Sequence, residues 1–451
     1  MAKDQKSNLP RIGLALSGGG YRAAAFHLGT LRKLHEMKIL DDVDVLSTVS
    51  GGSIVGADYS IALTDKNYSY KTFETEFILK LKKSVIARIL TSVTFILIVI
   101  MTLIWIASIV FFQLSEYPVI SWIVLFAGFF LLFRYQFKIF PVSKIIEGIY
   151  DRIFFKKTEL TQLSSRPVMA INSTNLDTGR QFTFSKTRMS DSTYDYPKTS
   201  VPVFNVNQFP VSRAVMASSC VPFAFTPVPI NWSFFNNKDQ AKTIRPMLID
   251  GGVFDNQGMH KLTSEKSSYS CDIVITSDAG NRLSSSNPYK NVISLLIRSM
   301  DLFMNRIKNF QMMENLYQPG LAKKREIAYI SLGWDLGNCV DGFIDNVLNG
   351  NIQPYIIEAH EIFSENATSF NRAELKQLLE KSVNYDNIKK NQQDASDLTI
   401  ARKVGTNLTA LSDRQIKSLI NHAELMTELQ VKLYCPTLVQ NRLPKKDGRP
   451  S

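Results

Sequence analysis

Val45-Leu46-Ser47-Thr48-Val49-Ser50-Gly51-Gly52-Ser53-Ile54-Val55-Gly56 is the stretch whose reading decides the fold. An apolar, β-branched run stops at Ser50, two glycines follow at once, and a helix-compatible pattern begins. A strand that ends on a serine and turns sharply into a helix is the nucleophile elbow of acyl hydrolases, where the turn holds the serine strained and exposed. Small neighbours let the helix approach the sheet and leave room for a substrate carbonyl. Thr48 stands where the first glycine of G-x-S-x-G belongs, so the stretch alone also fits an ordinary strand-to-helix turn.

The preceding segment repeats the device. Arg11 to Ser17 reads as a buried strand, Gly18-Gly19-Gly20-Tyr21-Arg22 as a glycine loop, and Ala23 to Met37 as a helix. A glycine loop at a helix start presents free N–H groups and a positive helix end, which suits an anion or a developing oxyanion. A phosphate loop of the Walker type would need Gly-Lys-Ser/Thr, and Tyr21 and Arg22 follow Gly20 instead. A dinucleotide fingerprint would want an acidic residue ending the second strand, whereas Asp41, Asp42 and Asp44 precede it. Functional groups of parallel sheets collect at the carboxyl ends of the strands, so the loop and Ser50 should be neighbours.

After the elbow helix the composition changes. Ile89 to Phe112 carries no charge, and as a helix it reaches about 36 Å, enough for a hydrocarbon core of roughly 30 Å. Val119 to Phe133 is a second, shorter apolar run that needs Arg134 to snorkel or the helix to continue through Tyr135 and Phe137. Lys80, Lys82, Lys83 and Arg88 precede the pair, Arg134, Lys138 and Lys144 follow it, and only Glu116 lies between. The positive-inside rule then places both flanks in the cytoplasm and the Glu116 turn outside. A hairpin buried in a soluble core is the alternative, and it would need protein on every side of two apolar helices.

Beyond Ile145 the chain is soluble in character. Arg166 to Asn172 reads as a strand, Asn175 to Gly179 as a turn, and Arg180 to Ser185 as the returning strand. Val211 to Cys220 is a helix of small residues. Met247-Leu248-Ile249-Asp250-Gly251-Gly252 is a third strand-end device, an aspartate before two glycines. Cys271 to Ser277 is a further strand, leading to Asp278. Tyr289 to Tyr317 reads as a long core helix with a lipid-facing part, Arg325 to Leu332 as a strand, and Ser396 to Tyr434 as a closing helix pair.

Composition narrows the classes. The chain has 451 residues and a net charge of +12, a balance that fits an anionic membrane surface, a nucleic acid or a solvated exterior. Four cysteines without CxxC spacing read as reduced core thiols, with no metal site. The first ten residues lack an apolar h-region, so no cleavable signal peptide is expected.

The glycine loop, the Thr48-Val49-Ser50-Gly51-Gly52 elbow and Asp250-Gly251-Gly252, in that order, resemble the patatin-like phospholipases. Ala217 to Pro222 resembles the segment preceding that family's aspartate, and Asn172 to Gly179 another stretch of its fold. The resemblance covers most of residues 11–282 outside the apolar insert. It implies an α/β fold of three α/β/α layers around a mostly parallel sheet, here with a two-helix transmembrane insertion. It implies a Ser-Asp dyad, with Ser50 as nucleophile and Asp250 as base, supported by Gly51, Gly52, Gly251 and Gly252. It implies an oxyanion hole from Gly18, Gly19, Gly20 and Arg22, with no cofactor and no metal. His260 could complete a triad and Asp255 could replace Asp250, but both lie beyond the strand end; His27 reads as a packing or hydrogen-bonding residue. Ser17, where many members carry an acidic residue, and Thr48 depart from the family pattern without removing a catalytic atom.

The expected organisation is residues 1–80 and 145–335 as the two parts of the hydrolase domain, 89–140 as the hairpin, 336–435 as a helical region and 443–451 as a disordered tail. The expected function is a membrane-anchored lipid acyl hydrolase of phospholipase A or lysophospholipase type, multi-pass, with its catalytic domain and termini cytoplasmic. Its partners would be a phospholipid or lysophospholipid substrate and the bilayer, with no nucleic acid. The alternatives are an inactive scaffold or lipid-binding protein on the same fold, and a signal-activated membrane-degrading effector.

Overall fold

The computed structural model describes residues 10–195, 204–281, 291–316, 325–362 and 371–440. The expected tail 443–451 lies outside them. Among the described residues nine strands form one sheet: β1 (Ile12–Leu16), β2 (Val45–Val49), β3 (Val168–Asn175), β4 (Gln181–Phe184), β5 (Met189–Ser190), β6 (Val228–Pro229), β7 (Met247–Asp250), β8 (Ile273–Asp278) and β9 (Glu326–Ser331). The order is β5-β4-β3-β2-β1-β8-β9, with β3, β2, β1, β8 and β9 mutually parallel. This is the mostly parallel sheet that the alternating strand and helix pattern predicts.

One departure from parallel order positions the site. β2 pairs with residues 168–172 of β3 and stops at Val49. β7 then takes over, antiparallel, against residues 173–175 of the same strand. Two strands entering from opposite directions therefore meet end to end beside β3. Val49 faces Asn172 and Asp250 faces Ser173, one rung further along.

The sheet is covered on both faces. Alternate residues of its strands point to opposite sides, so Leu14 and Leu16 join the main core while Ala15 faces a smaller cluster with Val45, Leu262, Val274 and Ile327. The main core includes helix α1 (Gly20–Glu36), helix α2 (Gly51–Ala62) and, from far along the chain, Asp413–Tyr434. Ser412 starts that last helix with a capping box to Gln415. α1 and Asp413–Tyr434 pack closely enough that a Cβ on Gly29 would lie 2.2 Å from the Ile420 carbonyl oxygen. All four cysteines are buried and free, as reduced core thiols should be.

The apolar insert folds as two helices, Val93–Gln113 and Pro118–Ile139. The first begins later than the apolar run suggests, because the Ser92 hydroxyl caps it by accepting from Phe95 N–H. The second continues through Tyr135 and Phe137. Each is long and apolar enough to cross a membrane. The helices pack on each other through Gly128, which leaves room for the Trp105 ring. Ser121 is the only buried side chain of the pair.

The helix read over Tyr289 to Tyr317 as core with a lipid-facing part is described as Val292–Leu316, and the core part of that reading is overturned. Only Gln311 and Met312 are buried. Leu295, Leu296, Phe303 and Phe310 form an outward stripe at helical spacing, with Phe303 70% and Phe310 65% exposed. Apolar residues at these intervals mark a one-faced helix but do not say which face is inward. The inward contact includes a buried ion pair: Lys308 pairs with buried Asp278, which also accepts from Tyr329 Oη (2.8 Å) and Gly280 N–H (2.8 Å). Burial pushes the Asp278 carboxyl up, but Lys308 and these hydrogen bonds more than offset it, leaving the pKa below its ordinary value.

Gly29→Ala should separate α1 from Asp413–Tyr434 and lower stability by about 1–3 kcal/mol, measured by denaturant unfolding. An unchanged midpoint would mean that the contact at Gly29 is not tight.

Candidate active site

Ser50 has φ 49° and ψ −115°, a conformation that L-residues rarely hold and that costs about 1–3 kcal/mol. The surroundings enforce it. A Cβ on Gly51 would lie 2.2 Å from the Gly20 carbonyl oxygen, and one on Gly52 2.3 Å from that of Leu16. The elbow helix thus sits directly on the glycine loop and the end of β1. Thr48 is accommodated because Gly56, further along the elbow helix, faces its methyl group; a Cβ there would lie 2.8 Å from it.

Asp250 lies across the junction of β2 and β7. Its carboxylate accepts from Gly252 N–H at 2.7 Å and faces the Ser50 hydroxyl. Burial pushes its pKa up to about 7, against the lowering effect of these two neighbours. Gly251 leaves room for the Asn172 carbonyl oxygen, 2.3 Å from where its Cβ would be.

A third segment clamps both residues. Ser218 Oγ accepts Ser50 N–H (2.9 Å) and donates to the Asn172 carbonyl (2.6 Å). The Ser218 carbonyl accepts Gly251 N–H (3.1 Å) and the Cys220 carbonyl accepts Asp250 N–H (2.8 Å). Ala217 to Pro222, which the sequence marks as resembling the segment before the aspartate of the patatin-like pattern, has small residues that allow three backbone elements to converge.

The glycine loop divides in two. Gly18 N–H donates to the Asn256 carbonyl (2.9 Å), so it is not free for an oxyanion, contrary to its inclusion in the expected set. Asn256 reaches it because the turn after Asp250-Gly251-Gly252 folds back over the loop. Gly19 (φ 140°) and Gly20 (φ 59°) turn the chain into α1, and their N–H groups have no partner among the described residues. Tyr21 N–H is taken by the Asn407 carbonyl (2.9 Å). Arg22 donates to the Val404 carbonyl (3.2 Å) and lines the cleft beside Gly19.

The cleft over Ser50 and Asp250 has a volume of about 340 Å³. Val221, Pro222 and Thr406 line it, and Met300, Met304 and Lys308 of Val292–Leu316 form another wall. Both roots of the apolar hairpin are tied to these walls. Val85 N–H donates to the Leu408 carbonyl (3.0 Å), beside Thr406, and Ser143 N–H donates to Thr226 Oγ1 (3.2 Å), beyond Pro222.

The other candidates lie elsewhere. His27 is buried behind the loop, with Nε2 donating to the Ser17 carbonyl (2.9 Å) and Nδ1 accepting from Ser277 (2.8 Å). Burial pushes its pKa down to about 4, so it is neutral at pH 7. Asp255 accepts from Gln257 and His260 N–H groups and shapes the turn after the glycines. His260 is exposed against Phe254 and does not line the cleft. Ser17 uses its hydroxyl to hold Ala279 N–H (2.9 Å). Sequence reasoning missed Asn256, the Val404–Asn407 loop and the wall helix. Nothing in their local patterns marks them.

Residues 14–262 match the patatin-like phospholipase family. The chain belongs to that family. No curated protein matches this patatin-like chain. Among solved structures it is similar to human GIVD cytosolic phospholipase A2, at 12% identity and a TM-score of 0.47, over 97% of this chain and 64% of that one. It is also similar to VipD from Legionella pneumophila, at 11% identity and a TM-score of 0.28, over 98% and 94% of the two chains. The patatin-like chain thus spans less than two thirds of the human enzyme's length.

Ser218→Ala removes the acceptor of Ser50 N–H and leaves a buried donor unpaired. It should lower kcat about tenfold with little change in KM, measured by steady-state ester hydrolysis. Wild-type kcat would show that Ser218 does not position the elbow.

Proposed function

We propose that the protein is a membrane-anchored serine lipid acyl hydrolase of phospholipase A or lysophospholipase type, acting through a Ser50–Asp250 dyad. The observation that carries this reading is the Ser50 hydroxyl facing a buried carboxylate in one cleft with Gly19, whose amide, like that of Gly20, has no partner among the described residues. Ser50 Oγ attacks the acyl carbonyl as its proton passes to Asp250. The Gly19 and Gly20 N–H groups hold the oxyanion, where one such donor is typically worth about 3 kcal/mol. Asp250 returns the proton to the departing alcohol, and an acyl-enzyme remains on Ser50. Water then attacks that ester, giving its proton to Asp250 and releasing the fatty acid and free Ser50. Val221, Met300 and Met304 offer apolar surface to an acyl chain, and Arg22 supplies a cation for a phosphate-bearing headgroup.

The membrane assignment rests on the hairpin. Its helices are uncovered by protein, their basic flanks favour a cytoplasmic catalytic domain, and their roots are bonded to loops that line the cleft. Short reach from the bilayer raises local substrate concentration without contributing to the chemistry.

Ser50→Ala and Asp250→Ala should each abolish fatty-acid release from phospholipid vesicles with membrane association unchanged; full activity in either variant would sink the dyad. Asp250 must be ionised to accept the proton, so kcat/KM should rise with pH through a midpoint of about 7 and level off above it. A profile that is flat from acid to neutral pH would exclude that base. Removal of 89–140 should release the protein into the soluble fraction with short-chain esterase activity retained, and persistent membrane binding would contradict the anchor.

A further inference from the structure

A second groove, of about 470 Å³, shares no lining residue with the Ser50 cleft. It lies along β4 and β5 and is closed by the segment that follows His260. Arg180, Arg188, Lys261 and Lys266 line it, and no carboxylate is among its lining residues. The Arg180 and Lys266 side chains make no ion pair among the described residues. Such concentration of one charge raises the potential inside a concave surface and favours a multiply charged anion.

A buried donor separates this groove from an ordinary basic surface. Gln181 is 6% exposed, lines the groove, and its Nε2 has no hydrogen-bond partner among the described residues. Buried polar groups are nearly always satisfied, so an unpaired amide beside a groove calls for an acceptor from outside the chain. Ser264, Ser267 and Ser268 add hydroxyl donors on the opposite wall. The volume falls in the range that holds a small organic ligand and exceeds what a lone ion needs.

We propose that this groove binds a phosphorylated organic molecule, its phosphate held by Arg180 and Lys266 with Gln181 Nε2 donating to a phosphate oxygen. The occupant is distinct from the ester cleaved at Ser50. A lipid headgroup and a soluble phosphate ester share this chemistry, and the test separates them.

The full chain in phosphatidylcholine nanodiscs is titrated with inorganic pyrophosphate by calorimetry. Wild type should bind saturably, and more weakly as salt is raised. Arg180→Gln with Lys266→Gln, and separately Gln181→Leu, should each weaken binding about tenfold or more, with ester hydrolysis and melting temperature unchanged. Nanodiscs that also contain phosphatidic acid decide the source. A lipid occupant competes with pyrophosphate there, and a soluble one leaves its affinity unchanged. Absence of saturable binding, or equal binding by wild type and both variants, would overturn the proposal.

Discussion

Two βα turns approach each other so closely that no side chain fits between them, and the rest of the site depends on that contact. Gly51 lies against the Gly20 carbonyl and Gly52 against that of Leu16. This contact drives Ser50 to positive φ and aims it away from its own helix. On the other side, β7 abuts the end of β2 along β3 and delivers Asp250 one rung beyond Val49. Ser50 and Asp250 are thus held by sheet register and by missing Cβ atoms. Long side chains, which would have to lose rotamer freedom, do little of the positioning.

The same economy of contacts joins the site to distant parts of the chain. Asn407, in a loop outside the family match, caps α1 beside the glycine loop, while neighbouring Leu408 holds the first root of the hairpin. Thr226 holds the second root a few residues from the segment that clamps Ser50 and Asp250. A displacement of the hairpin would therefore be felt at two walls of the cleft. Val292–Leu316 adds a third wall, pinned inward by Lys308 on Asp278 and presenting its apolar stripe outward. These contacts tie the two apolar helices to the Ser50 cleft without any residue belonging to both.

Local rules made much of this legible in the sequence. Apolar runs ending in Ser50, Asp250 and the glycine loop mark strand ends, since a glycine pair after a strand restricts what can follow. The two apolar helices were legible from composition, and the packing role of His27 from its place on the helix behind the glycine loop. The junction of β2 with β7 was not, because antiparallel insertion into a parallel sheet joins segments about two hundred residues apart. Gly18 looked equivalent to Gly19 and Gly20 until Asn256 was seen to occupy its amide. Val292–Leu316 was misread because helical periodicity reports one apolar face and is silent on whether protein or another phase covers it. Thr48 looked like a defect in the elbow, and only the packing of Gly56 against it shows why it is tolerated.

The central claim is that Asp250 activates Ser50 across this junction. The most direct measurement is the rate of covalent labelling by a fluorophosphonate, with the modified peptide identified by mass spectrometry. A single adduct on Ser50 in the wild-type chain is predicted, with labelling slowed about a hundredfold or more by Asp250→Asn at neutral pH. Labelling at another serine, or an unchanged rate in Asp250→Asn, would contradict the account.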